Sequence, residues 1–383
     1  MPAPTGTKED TLNIQAVGEC IDFALNKCTK YAWWSFGPTG IGKTDIIEQV
    51  AKSNGAEFIY FNATGMEPTD LLGLPSLEDV ELDYEEEDAQ GKKVTRKIKT
   101  KATRYAPPLP LLRAAYAKKS ILCIDEASRF ERQVRNAIMP LLDRKAIGDL
   151  QLPEGCLVVC TANPPDEEDY QVDEIDKAML RRSVVIPATF DLDTWRQWGV
   201  FGGVVPRVIA AAGRLSAGMF RKVKHPYEQI LTPYGMKMAS DLIRAGLFET
   251  MDRDIALMVL QGAAGKEAAG AIYEALNDKK LTELLEAALK GEPLGKLDHD
   301  ISISLVYLFW EKIQKDARKY VKQITNLYNA LNADIRTMLV QLAYEQMIRY
   351  PDAFKGIIEE WSEWCTKRIK AQQERKRGLG FSS

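Results

Sequence analysis

The sequence has no apolar run of the roughly 18–20 residues that a membrane-spanning helix requires. Its first ten residues, MPAPTGTKED, also lack the apolar core of a signal peptide. These absences predict a cytoplasmic chain without a membrane segment.

Histidine and cysteine are scarce and scattered. The chain contains only two histidines, His225 and His299, and six cysteines that form no tight pairs beside them. A zinc-type site needs such pairs, so we expect none. Three of the cysteines lie in apolar segments, where small buried thiols are common: Cys123, Cys156 and Cys160.

Neither sign of charge predominates in the sequence. The 51 basic and 54 acidic residues give a formal net charge of −3, so the molecule as a whole is not an evident binder of polyanions. With 383 residues, 45% of them hydrophobic, the chain is long enough for two or three domains with a sizeable core.

In the first half, short apolar segments alternate with helical patterns. The segments predicted as strands are 32–36, 56–64, 121–124, 156–160 and 183–186. The segments predicted as helices are 11–30, 44–53, 129–146 and about 173–182. Short strands that are apolar on both sides and separated by helices predict an α/β fold, with a parallel sheet covered on both faces.

After Phe190 the strand patterns stop and helical patterns continue to the end of the chain. These predicted helices cover 235–248, 254–276, 279–290, 301–331 and 335–348. Gly291–Gly295, GEPLG, is a plausible boundary between two helical parts.

A glycine-rich loop lies between a predicted strand and a predicted helix. It reads Gly37, Pro38, Thr39, Gly40, Ile41, Gly42, Lys43 and Thr44, which matches G-x-x-x-x-G-K-[ST]. The glycines let successive backbone N–H groups point at phosphate oxygens, while Lys43 adds a charge and Thr44 a hydroxyl for magnesium. A purely structural turn needs neither lysine nor hydroxyl here, so the pattern favours nucleotide binding.

Polar residues end two of the other predicted strands. Asp125 and Glu126 follow the apolar strand 121–124, at the edge where open α/β sheets bind ligands. Asp125 is placed to hold magnesium and Glu126 to polarise a water molecule; the alternative is two solvated acids at the start of a loop. Asn163 ends the strand that begins at Cys156 and would contact phosphate or water, or it simply turns the chain before Pro164.

Together these three strand ends resemble the AAA+ ATPase superfamily, and more narrowly its MoxR-like branch. Three further segments support the narrower resemblance: 67–75 (EPTDLLGLP), 125–130 (DEASRF) and 176–182 (DKAMLRR). The resemblance covers about residues 12–190. It implies an N-terminal helical segment (1–30), a core with a five-stranded parallel sheet (31–190), an all-α lid (191–290) and a C-terminal helical region with a basic tail (291–383).

The resemblance also implies a homohexameric ring that binds ATP and Mg²⁺ between neighbouring subunits. Glu126, Asn163 and an arginine finger would be the catalytic residues. Arg182, with Arg181 beside it, aligns with that finger; the alternative is a surface arginine pair that ends a helix. Arg129, Arg132 and Arg135 would also face the subunit boundary, or only solvent.

Residues 76–105 match the position of a β-hairpin that the family carries toward the pore of the ring. Val80–Tyr84 and Val94–Ile98 alternate apolar and polar residues across Asp88–Gly91. The first arm is acidic and the second is basic, which would stabilise the pairing modestly. A disordered charged loop is the alternative.

One departure concerns the lid, where the family often has an arginine that senses nucleotide. Here the motif reads Thr232-Pro233-Tyr234, so Lys237 or another basic residue substitutes, or the lid responds differently. Basic residues also end the chain, and a solvated helix end or a nucleic-acid contact would each explain them.

The leading hypothesis is a MoxR-like ATPase that remodels or activates a protein partner. The resemblance makes a von Willebrand factor A domain protein the expected adaptor. One alternative is a nucleic-acid motor with a McrB-like core, and another is an ATP-gated assembly scaffold that hydrolyses little.

Overall fold

The computed structural model describes residues 11–87, 93–163, 177–215, 218–221, 228–349, 351–360 and 362. These residues belong to two compact units, Met1–Asp191 and Leu192–Ser383, and each unit is considered by itself. Among the described residues, no helix is both long and apolar enough to span a membrane.

The first unit is built around a parallel sheet of six strands, in the order β1-β10-β2-β9-β6-β3. The strands are β1 (Leu12–Asn13), β2 (Ala32–Phe36), β3 (Glu57–Phe61), β6 (Ser120–Ile124), β9 (Cys156–Ala162) and β10 (Ser183–Thr189). Five strands were expected. The sixth arises because Leu12 and Asn13, which precede the first helix, pair with Ala188 and Thr189 at the sheet edge.

Helices cover both faces of this sheet, as apolar strands require. The helices of the unit are α1 (Ile14–Lys27), α2 (Lys43–Ser53), α3 (Pro68–Leu72), α4 (Leu109–Tyr116), α5 (Arg132–Arg144) and α6 (Lys177–Leu180). Helices α1 and α2 pack against each other, and α2 also contacts β3 and β6. Apolar residues of α3, α4 and α5 share one buried cluster with the sheet, including Leu71, Leu111 and Ile138.

The centre of the sheet is fixed by Trp34, which is fully buried in β2. Its ring stacks on Phe36 with centroids 5.5 Å apart, and its indole N–H donates to the Ser183 hydroxyl at 3.1 Å. Loss of such a side chain costs about 3–5 kcal/mol, because a cavity replaces the ring. Trp34 therefore ties β2 to β10, its neighbour in the sheet.

Two long antiparallel strands, β4 (Leu74–Glu87) and β5 (Lys93–Ala106), occupy the segment where a hairpin was expected. They are longer than the alternating patterns at 80–84 and 94–98 indicated. The expected turn at Asp88–Gly91 lies outside the described residues. A second small antiparallel pair is formed by β7 (Ala146–Ile147) and β8 (Leu150–Gln151).

The second unit is helical in its described part. Its helices are α7 (Leu192–Phe201), α8 (Pro206–Leu215), α9 (Pro233–Arg244), α10 (Leu247–Thr250), α11 (Arg253–Ala264), α12 (Lys266–Leu276), α13 (Lys279–Lys290), α14 (His299–Ile313), α15 (Val321–Ala330) and α16 (Ala333–Arg349). Whether Gly291–Gly295 separates two domains within this unit stays a prediction.

Several predicted helices are divided in the structure. The segment 254–276 breaks at Gly265, whose φ of +88° does not occur in a right-handed helix. Gly246, with φ +87°, separates α9 from α10 in the same way. A 3₁₀ stretch at Gln314–Tyr320 interrupts the segment 301–331. Hydrophobic periodicity continued across these breaks and so concealed them.

Two predicted helices of the first unit are shorter than expected. The segment 129–146 begins as a 3₁₀ turn, Ala127–Arg129, before α5, so Arg129 does not share a helix with Arg132 and Arg135. Arg135 is buried, with 5% of its surface exposed, rather than solvated. Of the segment 173–182, the structure describes the part from Lys177 onward, and α6 ends at Leu180.

Candidate functional site

The glycine-rich loop follows β2 directly and leads into α2. Gly40 and Gly42 have φ values of +77° and +93°, a region that residues with a side chain rarely adopt. At Gly37 an added Cβ would lie 2.6 Å from the Ala188 carbonyl oxygen, so only glycine fits against β10. Lys43 then begins α2, where the helix dipole adds positive potential.

The Lys43 ammonium lies inside this loop, with 8% of the residue exposed. It donates to the carbonyl oxygens of Gly37 at 2.6 Å and Pro38 at 2.8 Å, and to Asn163 Oδ1 at 3.0 Å. Asn163 reaches it because β9 is the direct neighbour of β2 in the sheet. The loop therefore holds one cation beside the amide that ends the adjacent strand.

Asp125, at the end of β6, accepts hydrogen bonds from the hydroxyl groups of three different segments. Its Oδ1 accepts from Thr44 Oγ1 at 2.8 Å and also from Thr161 Oγ1, while Oδ2 accepts from Tyr60 at 3.1 Å. The described residues contain no group of three or more acidic, histidine or cysteine side chains that could hold a metal alone. A carboxylate and a hydroxyl side by side fit Mg²⁺, which prefers oxygen ligands and takes few of them from protein.

Glu126 follows Asp125 and has a left-handed backbone, with φ 52° and ψ 36°. Such a conformation is unfavourable for a residue with a side chain and is typically held by its surroundings at functional sites. Here the Glu126 N–H donates to Thr161 Oγ1 at 3.1 Å. The carboxylate is 32% exposed and its Oε2 lies 3.2 Å from Arg129 Nη1.

Thr161 and Tyr60 are part of this cluster, although sequence reasoning gave neither a role. Thr161 lies two residues before Asn163, and this spacing places both on the same side of β9. Burial raises the pKa of Tyr60, and the nearby charges of Asp125 and Glu126 add to that rise, so the phenol stays a neutral donor. The period-2 spacing was the available signal for Thr161; none pointed to Tyr60.

Arg181 and Arg182 do not join the cluster within one chain. They precede Ser183, which pairs with Ala32 at the start of β2, whereas the loop follows Phe36 at its end. Five strand residues separate the two ends, about 16 Å at 3.3 Å each. Arg182 donates to the Ala178 carbonyl at 2.9 Å and lies 3.6 Å from Asp143 Oδ2.

In the second unit, Tyr234 occupies the first turn of α9 and is 62% exposed. The Lys237 ammonium donates to both carboxylate oxygens of Asp241, at 2.5 and 2.6 Å, within the same helix. That Lys237 or another basic residue substitutes for the missing arginine, or that the lid responds differently, stays a prediction.

Residues 36–183 match the model of the AAA domain, dynein-related subfamily. This segment is an AAA domain. It contains the glycine-rich loop from Gly37 onward, both acids at the end of β6, and Asn163. A comparison with curated proteins finds no match.

Two solved structures are similar over most of the chain but at low identity. A RuvB variant from Thermotoga maritima is 11% identical, covers 83% of this chain and 89% of its own, and has a TM-score of 0.33. A candidate ATPase from Cytophaga hutchinsonii is 13% identical, covers 92% and 90%, and has a TM-score of 0.30.

Proposed function

We propose that this AAA+ chain hydrolyses ATP with Mg²⁺ at the cluster around Lys43 and Asp125. The observation that carries the proposal is that the ends of β2, β6 and β9 bring Lys43, Thr44 and Asp125 together with Asn163. Gly37, Pro38, Thr39, Gly40, Ile41 and Gly42 would surround the phosphates with backbone N–H groups.

Each side chain then has a distinct task. Lys43 binds the β- and γ-phosphates, and Thr44 with Asp125 would hold a magnesium ion, whose charge would offset that of the phosphates. Glu126 accepts the proton of the attacking water, whose oxygen bonds to the γ-phosphorus as the bond to the ADP oxygen breaks. Asn163 orients that water or the γ-phosphate from the other side.

Arg182, assisted by Arg181, would act on a neighbouring copy in a homo-oligomeric ring. The two arginines adjoin the start of β10, about 16 Å along the sheet from the glycine-rich loop of the same chain. A side chain at that distance cannot contact its own γ-phosphate but can be presented to the next subunit. A hexamer is what the MoxR-like resemblance implies.

We further propose that the motor remodels a protein partner, with a von Willebrand factor A domain protein as the adaptor. In support, the described strands of the hairpin carry seven acidic and six basic residues, a nearly balanced set. Contact with a nucleic-acid backbone calls for a clear basic excess. Stimulation of turnover by DNA that falls steeply with salt would favour the nucleic-acid motor instead.

The proposal is tested by phosphate release from mixed subunits. Arg182→Ala should bind ATP yet lose at least about 100-fold in turnover, since arginine fingers contribute about 10³–10⁵ where they have been dissected. Mixing it with Lys43→Ala should restore part of the activity. In mixed rings, a Lys43→Ala subunit supplies Arg182 to the intact ATP site of a neighbouring Arg182→Ala subunit.

Arg144→Ala, which changes an exposed arginine in the same unit, is the matched control and should retain wild-type turnover. No recovery in the mixture would contradict a finger that acts between subunits. Absence of ATP-dependent phosphate release from the wild-type chain would contradict the proposed activity itself.

A further inference from the structure

The β4–β5 hairpin has two chemically different faces. Because Leu82 pairs with Ile98, the even-numbered residues of both strands share one face and the odd-numbered residues share the other. The even face is apolar at its centre: Val80, Leu82, Tyr84, Val94, Ile98 and Ala102. The odd face consists largely of charged residues: Asp79, Glu81, Asp83, Glu85, Glu87, Lys93, Lys97, Lys99 and Lys101.

Among the described residues of the chain, none covers more than a small part of the apolar face. Of the 28 residues in the two strands, only Val80 and Ala102 are even partly buried. Leu82 is 55% exposed and Ile98 is 46% exposed. An isolated two-stranded hairpin is marginally stable in water, and a contiguous apolar face on such a hairpin marks a contact surface.

The two strands also differ in charge. Every charged residue of β4 is acidic and every charged residue of β5 is basic. On the apolar face itself, Glu78 and Glu86 lie on the β4 side while Arg96 and Arg104 lie on the β5 side. The hairpin is therefore negative along one edge and positive along the other, an arrangement that is complementary to a copy of itself.

We propose that the uncovered face docks the hairpin of a second copy of this chain. The copies point the same way, with the basic β5 of one beside the acidic β4 of the next. A two-fold rotation about an axis parallel to the strands produces this arrangement and brings the apolar faces together, so that the hairpins of a ring would pair two by two. The alternative, strand β4 against strand β4, would place like charges side by side.

This contact is small and therefore depends on the ring that the proposed function includes. A face of 14 residues is about 46 Å long and about 10 Å wide, so two copies bury less than the roughly 1,000 Å² of an independent stable interface. Once the AAA+ domains hold the copies together, the local concentration of hairpins becomes high enough for such a contact to form.

Charge reversal separates contacts between hairpins from contacts within one hairpin. One full-length variant makes the β4 side of the apolar face basic through Glu78→Lys and Glu86→Lys. A second makes the β5 side acidic through Arg96→Glu and Arg104→Glu. All four positions lie on the even-numbered face of the hairpin, where the contact is proposed.

Mass photometry with a non-hydrolysable ATP analogue gives the protein concentration at half-assembly. Each variant alone should raise it by about tenfold or more, a change equivalent to roughly 1.4 kcal/mol. An equimolar mixture should return toward the wild-type value, because unlike strands again meet between chains. If the charges act only within each hairpin, mixing the variants would not lower the protein concentration at half-assembly. That result would overturn the proposal.

The apolar part of the contact has its own control. The double variant Leu82→Ser, Ile98→Ser should weaken assembly several-fold, whereas Leu77→Ser, on the opposite face and 72% exposed, should leave it unchanged. Wild-type assembly in all these variants would mean that the face serves another occupant, such as a client segment, and would overturn the inference while the proposed ring stands. A wild-type chain that stays monomeric with the analogue would overturn both.

Discussion

The cluster at the strand ends and the β4–β5 hairpin both depend on polar side chains, but in opposite ways. The cluster contains few polar side chains and some of them are buried: Lys43 is 8% exposed and Asn163 is 5% exposed. In the hairpin, the ion-paired side chains are 47–84% exposed. Buried polar contacts fix positions because each lost partner is costly, whereas exposed pairs contribute about 0–1 kcal/mol each. The first region suits chemistry and the second suits partner selection.

The largest effect should follow the loss of the Glu126 carboxylate in the cluster. Glu126→Gln should keep ATP binding and reduce turnover by about 10²–10⁴-fold, since an amide cannot take the proton from water. The measurement is single-turnover phosphate release with bound nucleotide quantified in parallel. Glu131→Gln, an exposed glutamate in the same segment, is the control; equal rates in both variants would remove Glu126 from its role.

A smaller effect should follow the loss of the residue that links the two acids. Thr161→Val removes the hydroxyl that donates to Asp125 and accepts from the Glu126 N–H. Turnover should fall by about ten- to a hundredfold, because each hydrogen bond to a charged group is worth about 1.5–3 kcal/mol.

Thr161→Ser keeps the hydroxyl and should recover most of this loss. The Mg²⁺ concentration for half-maximal activity should also rise in the valine variant and return in the serine variant. If valine and serine behave alike on both measures, Thr161 has only a packing role.

The smallest effect should occur in the hairpin. Glu81→Gln removes a carboxylate that lies 3.1 Å from Lys99 and 3.9 Å from Lys97, yet it should change the free energy of unfolding by no more than about 0.5 kcal/mol. Chemical denaturation of the full chain measures this. A loss of several kcal/mol would show that the hairpin is as integral to the fold as the cluster, and the contrast between the regions would disappear.

Sequence patterns predicted the parallel sheet and the proximity of Lys43, Thr44 and Asp125, because a local loop motif and the shared edge of parallel strands determine both. They did not predict that Thr161 and Tyr60 contact Asp125, since those contacts depend on strand register and side-chain direction. The breaks at Gly246 and Gly265 were also missed, because apolar spacing continued through them.

Calorimetry of ATP binding to Glu126→Gln, with and without Lys43→Ala, tests the central claim most directly, provided that thermal unfolding shows both proteins folded. We expect ATP with Mg²⁺ to bind the single variant and binding to be lost in the double variant, because the loop then lacks its ammonium group. Undiminished ATP affinity in the folded double variant would contradict a nucleotide site at this loop.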